Sequence, residues 1–194
     1  MGRRVRYIIK PPGGYEEWRA LMARYGLELV ERTEQGRKPF TLQEIYMDLE
    51  RSAAVHYIED EMVELPFIQV GGPNLDFFAR LVETNLPVFT EAELFSTWDE
   101  ADELEDKIDA ILRIGVASDD APTEPYVSRI RAALEDPAPE VRAAGLVALS
   151  YHPWDALKPL VEQIRDGDPD EDAQLRAKVM LDTWDQGVRE LAGS

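Results

Sequence analysis

Hydrophobic and polar positions change rhythm several times along the chain. VRYIIK reads as a strand, and PPGG breaks it. YEEWRALMARYG then sets Trp18, Leu21, Met22 and Tyr25 at three- and four-residue spacings, one face of a helix, with Gly26 as its stop. LELVERT returns to alternation through Leu27 and Leu29. LQEIYMDLE fits two patterns. Ile45, Met47 and Leu49 alternate as in a strand, whereas Leu42, Ile45, Tyr46 and Leu49 fit a helix with Thr41 and Glu44 as a capping box. The strand is preferred, because AAVHYIED and LPFIQVGG follow with β-type composition and complete an antiparallel sheet. PNLDFFARLVETNL restores helical spacing through Leu75, Phe77, Phe78, Leu81 and Val82. The order β-α-β-β-β-β-α predicts an α+β layer of small antiparallel sheet and two helices over residues 1–89.

From residue 90 onward the pattern is helical and repeats itself. An offset of 34 residues superposes, without a gap, Pro125 on Pro159, Val127 on Val161, Ile130 on Ile164 and Arg131 on Arg165. The same offset carries Val141 to Leu175, Arg142 to Arg176, Ala143 to Ala177, Leu146 to Met180 and Val147 to Leu181. PYVSRIRAALED has its apolar stripe at Tyr126, Val127, Ile130, Ala133 and Leu134. EVRAAGLVALS places Ala143, Ala144 and Gly145 where a neighbouring helix comes close, with Leu146 and Leu149 as buried volume. Asp136-Pro137 and Asp168-Pro169 each stop one helix and start the next. ALKPLVEQIRD carries Leu157, Leu160, Val161 and Ile164, and the last helix carries Leu175, Val179, Met180 and Trp184 on the side read as core. A divergent first unit opens with a Thr90–Glu93 capping box and continues through Ile108, Ile111, Leu112 and Gly115.

Asp-Pro, then Val-Arg-Ala-Ala and Leu, then a second amphipathic helix resembles the HEAT-repeat family, an armadillo-type α-solenoid, across residues 90–194. The resemblance implies paired helices stacked in layers. It also implies protein binding, although related short arrays act as lyases or bind nucleic acid. In such arrays the second helix of each pair lines the concave face, and Arg131, Glu135, Glu162 and Arg165 are expected there. Arg142 and Arg176 are expected to pair with turn acids such as Asp136 or Asp168 and fix the stacking register. As exposed pairs each would contribute about 0–1 kcal/mol. Residues 1–89 carry no such family phrase.

Charge narrows the partners. The 194 residues hold 39 acids against 21 bases, a formal net charge of −18. Phosphate backbones and anionic membranes are repelled by such a surface, so neither nucleic acid nor membrane is expected, whereas a basic protein is attracted. With no cysteine, thiolate chemistry, disulfides and Cys-ligated metals are excluded, and a reducing cytoplasm is the expected compartment. The first apolar run stops at Lys10 and Pro11, too short for a secretory h-region.

Candidate chemistry is thin. DGDPDED alternates oxygens like a calcium loop, but Glu171 and Ala177 stand where an EF-hand needs Gly and Glu, so a solvated turn is expected. His56 and Glu59 alternate to opposite faces of a strand, which weakens HYIED as a metal or acid–base group. PPGG lacks the glycine spacing and the lysine of a phosphate loop, and GxSxG is absent. No cofactor, metal or catalytic residue is therefore assigned. Tyr151, His152 and Trp154 crowd one turn, SYHPWD. Exposed aromatic and Arg side chains dominate binding energy. The expected partner-binding set is thus Arg131, Glu135, Tyr151, Trp154, Glu162 and Arg165, on a non-enzymatic scaffold or adaptor. Two alternatives stay open: an immunity protein that neutralises a basic toxin, and an enzyme with a pocket between the halves using His56, Glu59, Asp60 and Trp154.

Overall fold

Alternation builds the first strand, and the chain then follows the expected order. The computed structural model describes residues 4–37, 40–48, 50, 53–61, 64, 66–119, 121 and 123–192. β1 (Arg4–Ile8), α1 (Tyr15–Arg24), β2 (Glu28–Arg37), β3 (Phe40–Met47), β4 (Ala54–Asp60), β5 (Phe67–Gly71) and α2 (Leu75–Asn85) come first. The helices α3 (Glu91–Asp99), α4 (Leu104–Ala117), α5 (Glu124–Leu134), α6 (Pro139–Ser150), α7 (Lys158–Gly167) and α8 (Glu171–Ala192) follow. The protein is α+β, and it divides into two compact units, Met1–Glu93 and Leu94–Ser194.

In the first unit the strands lie in the order β1-β5-β4-β3-β2, antiparallel at every pairing. β2 to β5 form a meander, and β5 closes onto β1, so α1 carries the chain from one sheet edge to the other. Trp18, Leu21 and Met22 of α1 and Phe78, Leu81 and Val82 of α2 share one core with Tyr46, Val55, Tyr57, Ile68 and Val70. Gly26, at φ 68°, takes the left-handed turn that ends α1. Residues 41–47 are strand. The capping box read at Thr41 involves a side chain outside those described, and Glu44 instead turns into the core. There its carboxylate accepts hydrogen bonds from Tyr15, Tyr46 and Arg32 at 2.6, 2.8 and 2.9 Å. Three positions read as core are exposed: Tyr25, Leu29 and Phe77. Tyr25 is the residue that caps α1, Leu29 borders a shift in the β2–β3 register, and Phe77 lies on the outer side of α2, edge-on to the buried Phe78.

In the second unit the helices form two layers. α4, α6 and α8 pack side by side, with α5 against α6 and α7 against α8. α3 joins the α5 side through Phe95 edge-on to Tyr126, 5.0 Å between centroids, and through the Arg129–Asp99 ion pair. At its start the Thr90–Glu93 box forms in both directions: the Thr90 amide donates to Glu93 (2.8 Å) and the Glu93 amide donates to the Thr90 hydroxyl (3.3 Å).

Candidate functional site

The turns between paired helices set the geometry of the second unit. Asp136 Oδ1 accepts from the Ala138 amide, and Asp168 Oδ1 from the Asp170 amide, each at 2.9 Å. Each helix then begins three residues after its aspartate. The same first-turn bond, amide to a carbonyl four residues back, is made by Lys107, Arg142 and Gln174. These three are the structurally equivalent residues of α4, α6 and α8. Lys107 Nζ reaches Asp136 of the next turn at 3.0 Å. Arg142 grips Asp168 with two prongs, Nε at 2.7 Å and Nη2 at 2.6 Å, and its Nη1 donates to the carbonyls of Asp136 and Pro137. Among the described residues Gln174 donates to the carbonyl of its own turn, Asp168 O, at 2.6 Å, and not to the turn beyond. The charged ladder therefore ends at α8.

This corrects two expectations. The gap-free 34-residue offset holds for α5 and α7, whose Val127, Ile130, Val161 and Ile164 are all buried. It fails beyond the second turn, because Asp168 follows Asp136 by two residues fewer than that offset requires. Arg142 corresponds to Gln174, not to Arg176. Moreover, the Arg142–Asp168 pair is buried, not exposed, with both residues at 8%. Arg176 makes an exposed ion pair with Asp172 of its own helix instead. The acidic run read as a solvated turn is used for capping and pairing: Asp170 Oδ1 accepts from the Ala173 amide, and Asp166 pairs with Arg165. Among the described residues no three His or acidic side chains converge as metal ligands.

The corrected register explains an open groove. Where α4 meets α6, Gly115 lies against Ala148, so closely that a Cβ added to the glycine would sit 2.6 Å from the Ala148 Cβ. The residues at those same positions in α6 and α8 are Ser150 and Met180. Both line a groove of about 740 Å³ between these helices. Leu146, Val147 and Pro153 form one wall, Leu175, Val179 and Trp184 the other, and Arg176, Asp155 and Thr183 supply polar edges. Leu175 and Val179, read from sequence as core, are 58% and 57% exposed. Counted from the turn, they stand where Ala143 and Val147 stand in α6, on the side turned away from α5.

The sequence-predicted binding set is only partly assembled. Arg131 lies on α5 and Glu135 caps it, whereas Glu162 and Arg165 lie on α7. These are the first helices of their pairs, so the expected placement on the second helices is corrected: the Asp-Pro turn comes after α5 and α7. Trp154 is not a surface anchor. It is 4% exposed, and its indole N–H donates to the Asp119 carbonyl at 3.2 Å, tying the connection before α7 to the one after α4. Tyr151 and His152 are half-buried. In the first unit His56 and Glu59 do face opposite sides of β4, and Glu59 accepts from Tyr57 at 3.0 Å on the core side. Among the described residues no helix is long and apolar enough to cross a membrane. No family model, curated protein or solved structure matches the chain. Among the described residues, the second unit is a short stack of helical hairpins with an apolar groove between α6 and α8.

Proposed function

We propose that this protein is an interaction module, a HEAT-like stack whose α6–α8 groove receives an apolar helical segment of a partner protein. The observation that carries the reading is the pairing of the groove with exposed Leu175 and Val179. Large aliphatic side chains left this open on adjacent turns of a helix, beside a furrow, are a recognised feature of helix-in-groove binding. The surrounding charge fits a partner with basic flanks. Glu171, Asp172 and Asp182 are exposed on α8 beside Arg176 and Lys178, Arg176 being paired with Asp172, and Asp155 borders the groove. The compartment that suits this reading is the cytoplasm.

The test is comparative capture from native cells at low salt. The wild type is set against the Leu175→Glu/Val179→Glu double variant and against Arg131→Ala/Arg165→Ala. A partner retained by the arginine variant and lost by the α8 variant supports the groove. The reverse pattern would return the binding surface to α5 and α7.

A further inference from the structure

The sheet of the first unit carries a second concavity, independent of the helical groove. On the sheet face away from α1 and α2, two in-register rows run across the strands. One row is Arg6, Gln69, His56, Ile45 and Glu31. The next is Arg4, Gly71, Ala54, Met47 and Glu28. Because Gly71 and Ala54 stand between the long side chains of Arg4 and Met47, the second row dips. The dip is a basin of about 510 Å³ bordered by Arg4, Gln43, Met47, His56 and Gln69. Packing does not require the glycine: a Cβ there would meet only the Arg4 Cγ, at an ordinary 3.5 Å.

The polar atoms around the basin are biased toward donors. The Gln43 amide nitrogen lies 3.2 Å from His56 Nδ1. With the Gln43 amide in this orientation its NH₂ donates to Nδ1, which is the tautomer that carries the ring proton on Nε2. Arg6 Nε donates to Gln69 Oε1 at 3.0 Å, which fixes that amide's orientation and makes its NH₂ the donor end. Arg4 adds an exposed guanidinium. His56 is held below the ordinary histidine value, by burial first and then by Arg4, against an opposing effect of Glu31, a direction that favours the neutral ring.

We propose that this basin binds a small organic anion, with Arg4, His56 Nε2–H and the Gln69 amide holding its carboxylate or phosphate group and Met47 beside its apolar body. A concave site with an apolar wall and a few convergent polar groups is what such a ligand requires, and Arg suits either oxyanion.

The experiment is a long-range ¹H–¹⁵N titration of the full chain, following the His56 imidazole with His152 as internal control. The probes are sodium butyrate, butyl phosphate and uncharged butanol. A saturable His56 shift with an anion but not with butanol is expected, and the anion that binds more tightly separates carboxylate from phosphate chemistry. Arg4→Ala weakens that affinity about tenfold, the scale of one charge-assisted hydrogen bond. Ala54→Leu, which fills the dip, removes binding. Arg4 is exposed, so its variant reports on the ligand and not on folding. No saturable shift with either anion, or equal affinity in Arg4→Ala, overturns the assignment.

Discussion

Arg142 is the residue on which the helical unit turns. Its guanidinium spans two successive turns, pairing with the carboxylate of one and the carbonyls of the other. Removing one member of a buried ion pair leaves the other uncompensated, so Arg142→Ala is expected to destabilise the protein by about 3 kcal/mol. Chemical denaturation followed by far-ultraviolet circular dichroism measures this. Arg142→Lys is expected to recover only part of the loss, because an ammonium cannot reproduce the fork. Acid acts on the same pair. The Asp168 carboxyl is held below its usual value chiefly by the Arg142 hydrogen bonds, with burial opposing and the Asp170 amide adding. A carboxylate lowered in the folded state stabilises fully above its unfolded value of about 3.9 and loses that contribution as pH falls through the folded value. The acid limb of a pH–stability profile is therefore expected to flatten in Asp168→Asn, and an unchanged limb would assign the acid sensitivity to other carboxylates. Sequence predicted Arg142 as a partner of a turn acid but valued it as a surface pair. Burial depends on which helices stack over it, and that is not a local property.

At the scale of elements, two helix interfaces built on the same plan differ at the pair of positions where the helices come closest. Gly115 against Ala148 brings α4 and α6 together, whereas Ser150 and Met180 line the groove between α6 and α8. Gly115→Leu is expected to destabilise by about 1–3 kcal/mol through overpacking. Leu175→Glu/Val179→Glu is expected to leave stability within about 0.5 kcal/mol at each site, as exposed positions do. A large loss in the double variant would return these residues to the core. Thermal melts of both variants check the contrast. Much of this level was legible. The succession of strands and helices along the chain, the capping box at Thr90 and the Asp-Pro punctuation all follow from local patterns that the fold preserves. The groove was not, because the gap-free offset placed Leu175 over Val141. Counted from Asp136 and Asp168, Leu175 falls on Ala143 instead. Trp154 escaped for another reason: its carbonyl partner lies in a connection distant in sequence.

For the whole molecule, the chain carries a formal charge of −18 and the second unit carries an apolar groove, and on the proposed function each would act differently on a partner. Negative charge would accelerate encounter with a basic protein and lose force as salt rises, while a contact in the groove, as proposed, would be salt-insensitive. Complex formation is thus expected to slow as ionic strength increases, with dissociation changing less, as stopped-flow or surface-based kinetics would show. The most direct measurement is site-specific photo-crosslinking in native cells, with the photoreactive residue placed at Val179 in one strain and at Arg131 in another. A discrete adduct of a single partner protein from position 179, absent from position 131, is the predicted result. An adduct that forms only from position 131, or none from 179 while the chain remains folded, would contradict the groove as the binding surface.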